Sequence, residues 1–80
     1  MRVKNQQAAY DALATLLRKE RLRASLTQAT LAAKLDRPQS YVAKYESGER
    51  QLDVVEFLLV TRAIGITPTV LLRTLGDRLR

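Results

Sequence analysis

The length and composition of this chain already exclude several classes of protein. Eighty residues, of which 46% are hydrophobic and 28% charged, predict one small globular domain over residues 1–80. The sequence has neither Cys nor His, which excludes disulfides, zinc sites built on thiolate or imidazole, and Cys or His nucleophiles. We therefore expect a protein with no enzymatic activity, no metal site and no cofactor.

The positive charge is concentrated in the first part of the chain. Fourteen Lys and Arg against eight Asp and Glu give a net charge of +6, and the pI is near 10.3. Residues 1–50 carry +5 of this charge and residues 51–80 carry +1. Such a field attracts polyanions, so nucleic acid and an anionic membrane are the candidate partners.

The sequence gives no support to the membrane alternative. No apolar run approaches the ~18 residues of a membrane span, and residues 1–7 contain no hydrophobic signal-sequence core. The last turn, with Arg78 and Arg80 against Asp77, is too weakly amphipathic for a membrane-surface helix. We therefore expect a cytoplasmic protein without a membrane partner.

Five helices and no strands are predicted along the chain. Only three Gly and two Pro occur, 14 residues are Leu, and the apolar positions recur at helical spacing. The predicted helices span about residues 5–23, 28–35, 39–46 and 54–64, and a fifth follows Pro68. The fold class is therefore all-α.

Capping residues set these boundaries. Thr27 is a good N-cap because its hydroxyl can accept a bond from a free backbone N–H of the second helix. Asp53 with Glu56 forms an acidic capping box at the start of the fourth helix. Gly48 and Gly65 can take the left-handed conformation that commonly follows a helix end.

The stretch of residues 28–47, QATLAAKLDRPQSYVAKYES, predicts a helix-turn-helix motif. The small side chain of Ala32 lets two crossing helices approach closely, and Asp36 occupies a turn position that requires a left-handed residue, which Asp tolerates better than most. The apolar wedge between the two helices consists of Leu31, Leu35, Val42 and Tyr45.

Residues 26–65, LTQATLAAKLDRPQSYVAKYESGERQLDVVEFLLVTRAIG, strongly resemble the phage-repressor and Cro-like (xenobiotic response element) helix-turn-helix family. The resemblance extends over about residues 16–72. It implies a compact five-helix DNA-binding domain of the lambda-repressor-like type. It also implies a dimer on double-stranded DNA, with the third helix in the major groove of a pseudo-palindromic operator.

The resemblance also implies which residues face the DNA. Base contacts fall on Gln39, Ser40 and Lys44, with Tyr41 pointing outward to flanking bases. Phosphate contacts fall on Thr27, Gln28, Arg37, Arg50 and Gln51. The residue types fit, because Gln can pair with adenine and Lys with guanine, although a lone helix Lys is often only solvated.

Two further sets of residues have structural roles in this interpretation. The resemblance implies an ion pair between Arg21 and Glu46 that fixes the first helix against the third. Leu71, Leu75 and Leu79 form an apolar stripe on the fifth helix, at i, i+4 and i+8. We expect this stripe, with the end of the fourth helix and the turn at residues 65–67, to form the homodimer contact; the alternative is that the stripe belongs to the core.

The sequence therefore predicts a sequence-specific DNA-binding transcriptional regulator, most simply a repressor that occupies an operator. The main alternative is a DNA-binding antitoxin that also neutralises a protein toxin partner, and an enzyme is a distant third. Activation of transcription is the alternative to repression within the same family.

Overall fold

Short turns connect five α-helices in the computed structural model, which describes residues 6–79. No strand occurs in this part of the chain, so the all-α prediction is confirmed. The predicted helix start at Asn5 lies outside the described residues. The helices are α1 (Gln6–Arg23), α2 (Gln28–Lys34), α3 (Gln39–Ser47), α4 (Val54–Ile64) and α5 (Pro68–Arg78).

The helix ends follow from local capping bonds. The Thr27 hydroxyl accepts a bond from the backbone N–H of Thr30 at 3.0 Å. At the start of α4 both bonds of the capping box form: the Glu56 N–H donates to Asp53 Oδ1 at 2.7 Å, and the Asp53 N–H donates to Glu56 Oε1 at 3.0 Å. Gly48 and Gly65, with φ of 86° and 92°, end α3 and α4 in the left-handed conformation.

The turn between α2 and α3 depends on a left-handed aspartate. Asp36 has a φ of 56°, and its N–H donates to the Ala33 carbonyl at 3.1 Å. The next residue, Arg37, donates its N–H to the Ala32 carbonyl at 2.9 Å. These bonds satisfy backbone groups at the end of α2 and reverse the chain, so that α3 starts at Gln39 and crosses α2.

The core lies where the helices meet behind the helix-turn-helix motif. Ala32, at 1% exposure, lies in the buried contact between α2 and α3, where a small side chain permits close packing. The other buried apolar side chains of this core come from all five helices: Leu16, Leu17, Leu31, Tyr41, Val42, Tyr45, Phe57, Val60, Ile64 and Leu71. The motif is thus supported from behind by α1, α4 and α5.

For Leu71, the prediction that the apolar stripe on α5 forms a dimer contact is wrong. Leu71 is only 6% exposed and belongs to the core, so it cannot contribute its side chain to a subunit contact. Leu75 is half-buried against the same core, and Leu79 is half-buried. The physical reason is that α5 packs on α1 and α4 and uses this stripe for that packing.

No single helix within residues 6–79 has both the length and the apolarity needed to cross a membrane. The α4–α5 pair reaches that length only when taken together, and it is bent by 119° at the break.

Candidate nucleic-acid interface

Helix α3 presents three polar side chains to solvent. Gln39, Ser40 and Lys44 are exposed, and none makes a side-chain hydrogen bond or ion pair with another residue of the described range 6–79. Ser40 and Lys44 are four residues apart and therefore neighbours on the helix surface, with Gln39 beside them in the first turn. Their donors and acceptors are free to bind an external partner.

Tyr41 does not point outward, so that part of the sequence prediction is wrong. Its side chain is 9% exposed, its hydroxyl donates to Glu56 Oε2 at 3.2 Å, and its ring packs edge-on against Tyr45 at 5.8 Å between centroids. The spacing explains this: residues 41 and 45 are four apart and share the inner face of α3. Burial, with the nearby Glu56 carboxylate, raises the pKa of Tyr41.

Two arginines lie over the Tyr41 ring. The guanidinium carbon of Arg37 is 5.2 Å from the ring centroid, and that of Arg50 is 5.0 Å away. Arg50 also forms an ion pair with Glu56 through Nη2 and Oε2. The pKa of the Glu56 carboxyl is lowered, first by the bond from the Asp53 N–H and then by Arg50.

Thr27, Gln28 and Gln51, the other predicted phosphate contacts, differ in how many of their polar groups are already used within the protein. The Thr27 hydroxyl is used by the α2 cap and also donates to Thr30 Oγ1 at 2.8 Å. Gln28 is half-buried and its Nε2 donates to Glu46 Oε1 at 3.1 Å. Gln51 is exposed in the loop between α3 and α4. Gln28 therefore lies at the edge of the motif with part of its amide already engaged.

Arg21 and Glu46 form a buried two-bond ion pair beneath the motif. Arg21 Nε donates to Glu46 Oε2 at 2.7 Å and Nη2 donates to Oε1 at 3.0 Å, while the two side chains are 7% and 3% exposed. Arg21 Nη1 also donates to the Leu26 carbonyl at 2.8 Å, and the bond with Glu46 raises the pKa of Arg21. This network ties α1 to α3 and to the turn before α2.

Comparison with known proteins identifies the family. A helix-turn-helix family model matches residues 17–71. An XRE-family like protein from Pseudomonas syringae pv. tomato has 47% identity to the chain, with coverage of 94% of this chain and 92% of that one and a TM-score of 0.88. The chain belongs to the XRE/Cro-like helix-turn-helix family.

Other solved proteins share the fold. The restriction-modification controller protein C.AhdI from Aeromonas hydrophila is 31% identical, with a TM-score of 0.77 over 84% of this chain and 97% of that one. The controller protein C.Esp1396I, solved as a tetramer with its natural 35 base-pair operator, is 21% identical, with a TM-score of 0.79 over 89% and 93%. No curated protein matches the chain significantly. The family and these neighbours support a DNA-binding transcription regulator.

This family member also has an exposed apolar surface, of which the sequence analysis identified only the end of α4 and the turn at residues 65–67. We call it the α4 face: Val55, Leu58, Leu59, Ile66 and Pro68, which line an open groove of about 620 Å³. Val55, Leu58 and Leu59 are 65%, 45% and 50% exposed. A usable signal was present, because α4 is apolar on more of its circumference than one core contact can cover.

The sequence analysis also missed the contacts of Glu56 with the candidate interface. The sequence identified it only as the third helical residue of a capping box, and that assignment uses one of its carboxylate oxygens. Its other oxygen accepts from Tyr41 and Arg50, which are 15 and 6 residues away. No periodicity links these positions, so only the folded chain brings them together.

Within residues 6–79 no group of three or more acidic side chains could hold a metal ion.

Proposed function

We propose that this protein is a sequence-specific DNA-binding regulator that reads an operator through α3 in the major groove and represses transcription by occupying it. The observation that carries this proposal is the free, exposed set of Gln39, Ser40 and Lys44 on one side of α3. Gln can pair with adenine through two bonds, Lys donates to guanine acceptors, and Ser adapts to either.

Phosphate contacts on both sides of α3 fix its position in the groove. Arg37 precedes the helix, and Arg50 and Gln51 follow it, all three exposed. Thr27 and Gln28 at the start of α2 approach the DNA phosphates from the other side of the motif. Contacts of this kind supply affinity and register, whereas the α3 side chains supply the sequence preference.

The protein acts as a homodimer in this proposal. One recognition helix of nine residues reads too few base pairs to be specific by itself, so two copies are needed. The dimer contact centres on the α4 face, whose apolar side chains are exposed, rather than on Leu71. C.Esp1396I, which shares the fold, is a tetramer on its operator, so assembly on DNA is compatible with this architecture.

Selection of bound sequences from random duplexes tests the proposal most directly. We expect enrichment of a pseudo-palindrome with half-sites about 34 to 36 Å apart, or one helical turn. We also expect affinity for the selected site to fall with salt by a slope of about −0.9 per phosphate contact. Failure to enrich any sequence, or an affinity that is flat with salt, would contradict the proposal.

A further inference from the structure

We propose that Tyr41 and Glu56 are positioning residues: together they form a cradle that holds Arg37 and Arg50 as a paired guanidinium site for neighbouring phosphates of one DNA strand. We call the four residues the arginine cradle. The inference rests on the proposed function and adds to it, because neither Tyr41 nor Glu56 needs to touch DNA. It assigns Tyr41 and Glu56 a role in DNA affinity, although neither side chain is proposed to contact DNA.

The Tyr41 ring is the fixed point of the cradle. It is 9% exposed and packed against Tyr45, so it has little freedom to move. Both guanidinium carbons lie at nearly the same distance from its centroid, 5.2 Å for Arg37 and 5.0 Å for Arg50. The two guanidinium groups therefore lie close together on the protein surface, and neighbouring phosphates of one strand are the ligands that we propose for them.

Glu56 fixes the second arginine from α4. Its Oε1 accepts the Asp53 N–H in the capping box, which orients the carboxylate. Its Oε2 accepts from the Tyr41 hydroxyl and from Arg50 Nη2. A guanidinium has five N–H donors, so Arg50 can keep this bond and still present other donors to a phosphate. Its side chain is 44% exposed, which leaves that outer side open.

The benefit of the cradle is preorganisation. A free surface arginine loses side-chain freedom when it binds a phosphate, and that loss reduces its contribution to affinity. An arginine already held by a ring and a carboxylate has lost part of this freedom on folding. The arginine cradle therefore predicts that Arg50 contributes more to DNA affinity when Tyr41 is present than when it is absent.

A double-mutant cycle tests this coupling. In the wild type, Arg50→Ala should weaken binding to the selected duplex about tenfold, whereas in a Tyr41→Leu background the same change should weaken it only about twofold. Tyr41→Phe keeps the ring and should preserve most of the Arg50 effect. The matched control is Lys44→Ala, whose effect should be the same in both backgrounds, because no hydrogen bond, ion pair or cation–π contact joins Lys44 to Tyr41.

A second cycle keeps the test decisive if Tyr41→Leu does not fold. Glu56→Gln retains an acceptor for the Asp53 N–H but loses the charge that holds Arg50, so the Arg50→Ala effect should again shrink. Additive effects in the folded variants, with salt-dependent wild-type binding intact, would overturn the arginine cradle and leave the proposed function standing. A wild type that binds no selected duplex would overturn the proposed function itself.

Discussion

At the level of single residues, the buried pair of Arg21 and Glu46 has the largest expected effect on stability. Arg21→Ala leaves the Glu46 carboxylate buried without its cation, which typically costs about 3 to 5 kcal/mol of the free energy of unfolding. Arg23→Ala is the matched control: Arg23 is 67% exposed and lies 3.6 Å from Glu20, so its removal should cost about 0 to 1 kcal/mol. Denaturant unfolding measures both, and equal effects would contradict a structural role for Arg21.

Gln39 should determine sequence preference rather than general affinity. Gln39→Ala removes an exposed side chain able to make two bonds to a base, so it should cost about 1 to 3 kcal/mol on the selected site. Affinity for a random duplex should barely change, because the phosphate contacts remain. Titrations of both duplexes test this, and an equal loss on the two would show that Gln39 does not read sequence.

For single residues, the sequence predicted some side-chain orientations correctly and others wrongly. The exposure of Gln39 and Lys44 follows from their positions on α3, and the structure agrees with it. The outward orientation of Tyr41 that the resemblance implied is wrong, because its four-residue spacing from Tyr45 places both rings on the inner face of α3. Its bond to Glu56 could not be predicted, since it joins residues from different helices across the core.

At the level of helices, three glycines should respond differently to the same substitution. Gly65→Ala should cost about 1 to 2 kcal/mol, because φ is 92° although no atom lies within 4 Å of the new Cβ. Gly48→Ala should cost at least as much, since its φ is 86° and the Cβ would meet Asp11 Oδ1 at 3.0 Å. Gly76→Ala, inside α5 with open space around it, should stabilise by about 0.5 to 1 kcal/mol.

Thermal or denaturant unfolding of the three glycine variants measures these differences. The Gly76 variant serves as the control for adding a methyl group without strain. The prediction is wrong if all three variants shift the unfolding free energy in the same direction.

The start of α4 should make stability depend on acid pH. The folded-state pKa of Glu56 is lowered from 4.5, so its contribution is fully present above the unfolded value and is lost as pH falls through the folded value. The groups that face its carboxylate are the charged guanidinium of Arg50, the neutral Tyr41 hydroxyl and the Asp53 N–H. Thermal melting between pH 6 and pH 3 should therefore show a smaller decline for Glu56→Gln than for the wild type. Parallel declines would assign the acid sensitivity to other carboxylates.

Helix boundaries were the most predictable feature because they depend on local chemistry. Thr27, Asp53, Gly48 and Gly65 each act on backbone groups within a few residues, so their effects are visible in the sequence. The faces of α4 and α5 were less predictable. Which apolar residues a helix buries depends on its neighbours, and α5 buries Leu71 whereas α4 leaves Leu58 and Leu59 exposed.

At the level of the whole molecule, the α4 face determines the oligomeric state in our proposal. Val55→Glu would place two like charges in a two-fold contact and should give folded monomers with weakened operator binding. Leu22→Glu is the matched control, because Leu22 is 54% exposed on α1, outside the α4 face. Sedimentation of both variants and the wild type at tens of micromolar tests this. A wild type that is monomeric there, and binds its operator as one copy, would contradict the dimer.

The burial of the Arg21–Glu46 pair has a consequence for how the protein would respond to osmotic stress. Screening acts over about 8 Å at physiological ionic strength and weakens exposed charges far more than buried ones. The side chains of the pair are 7% and 3% exposed, whereas Arg37, Lys44 and Arg50 are exposed at the surface. Added salt should therefore weaken the DNA binding that we propose while the folded structure, held in part by this buried pair, persists.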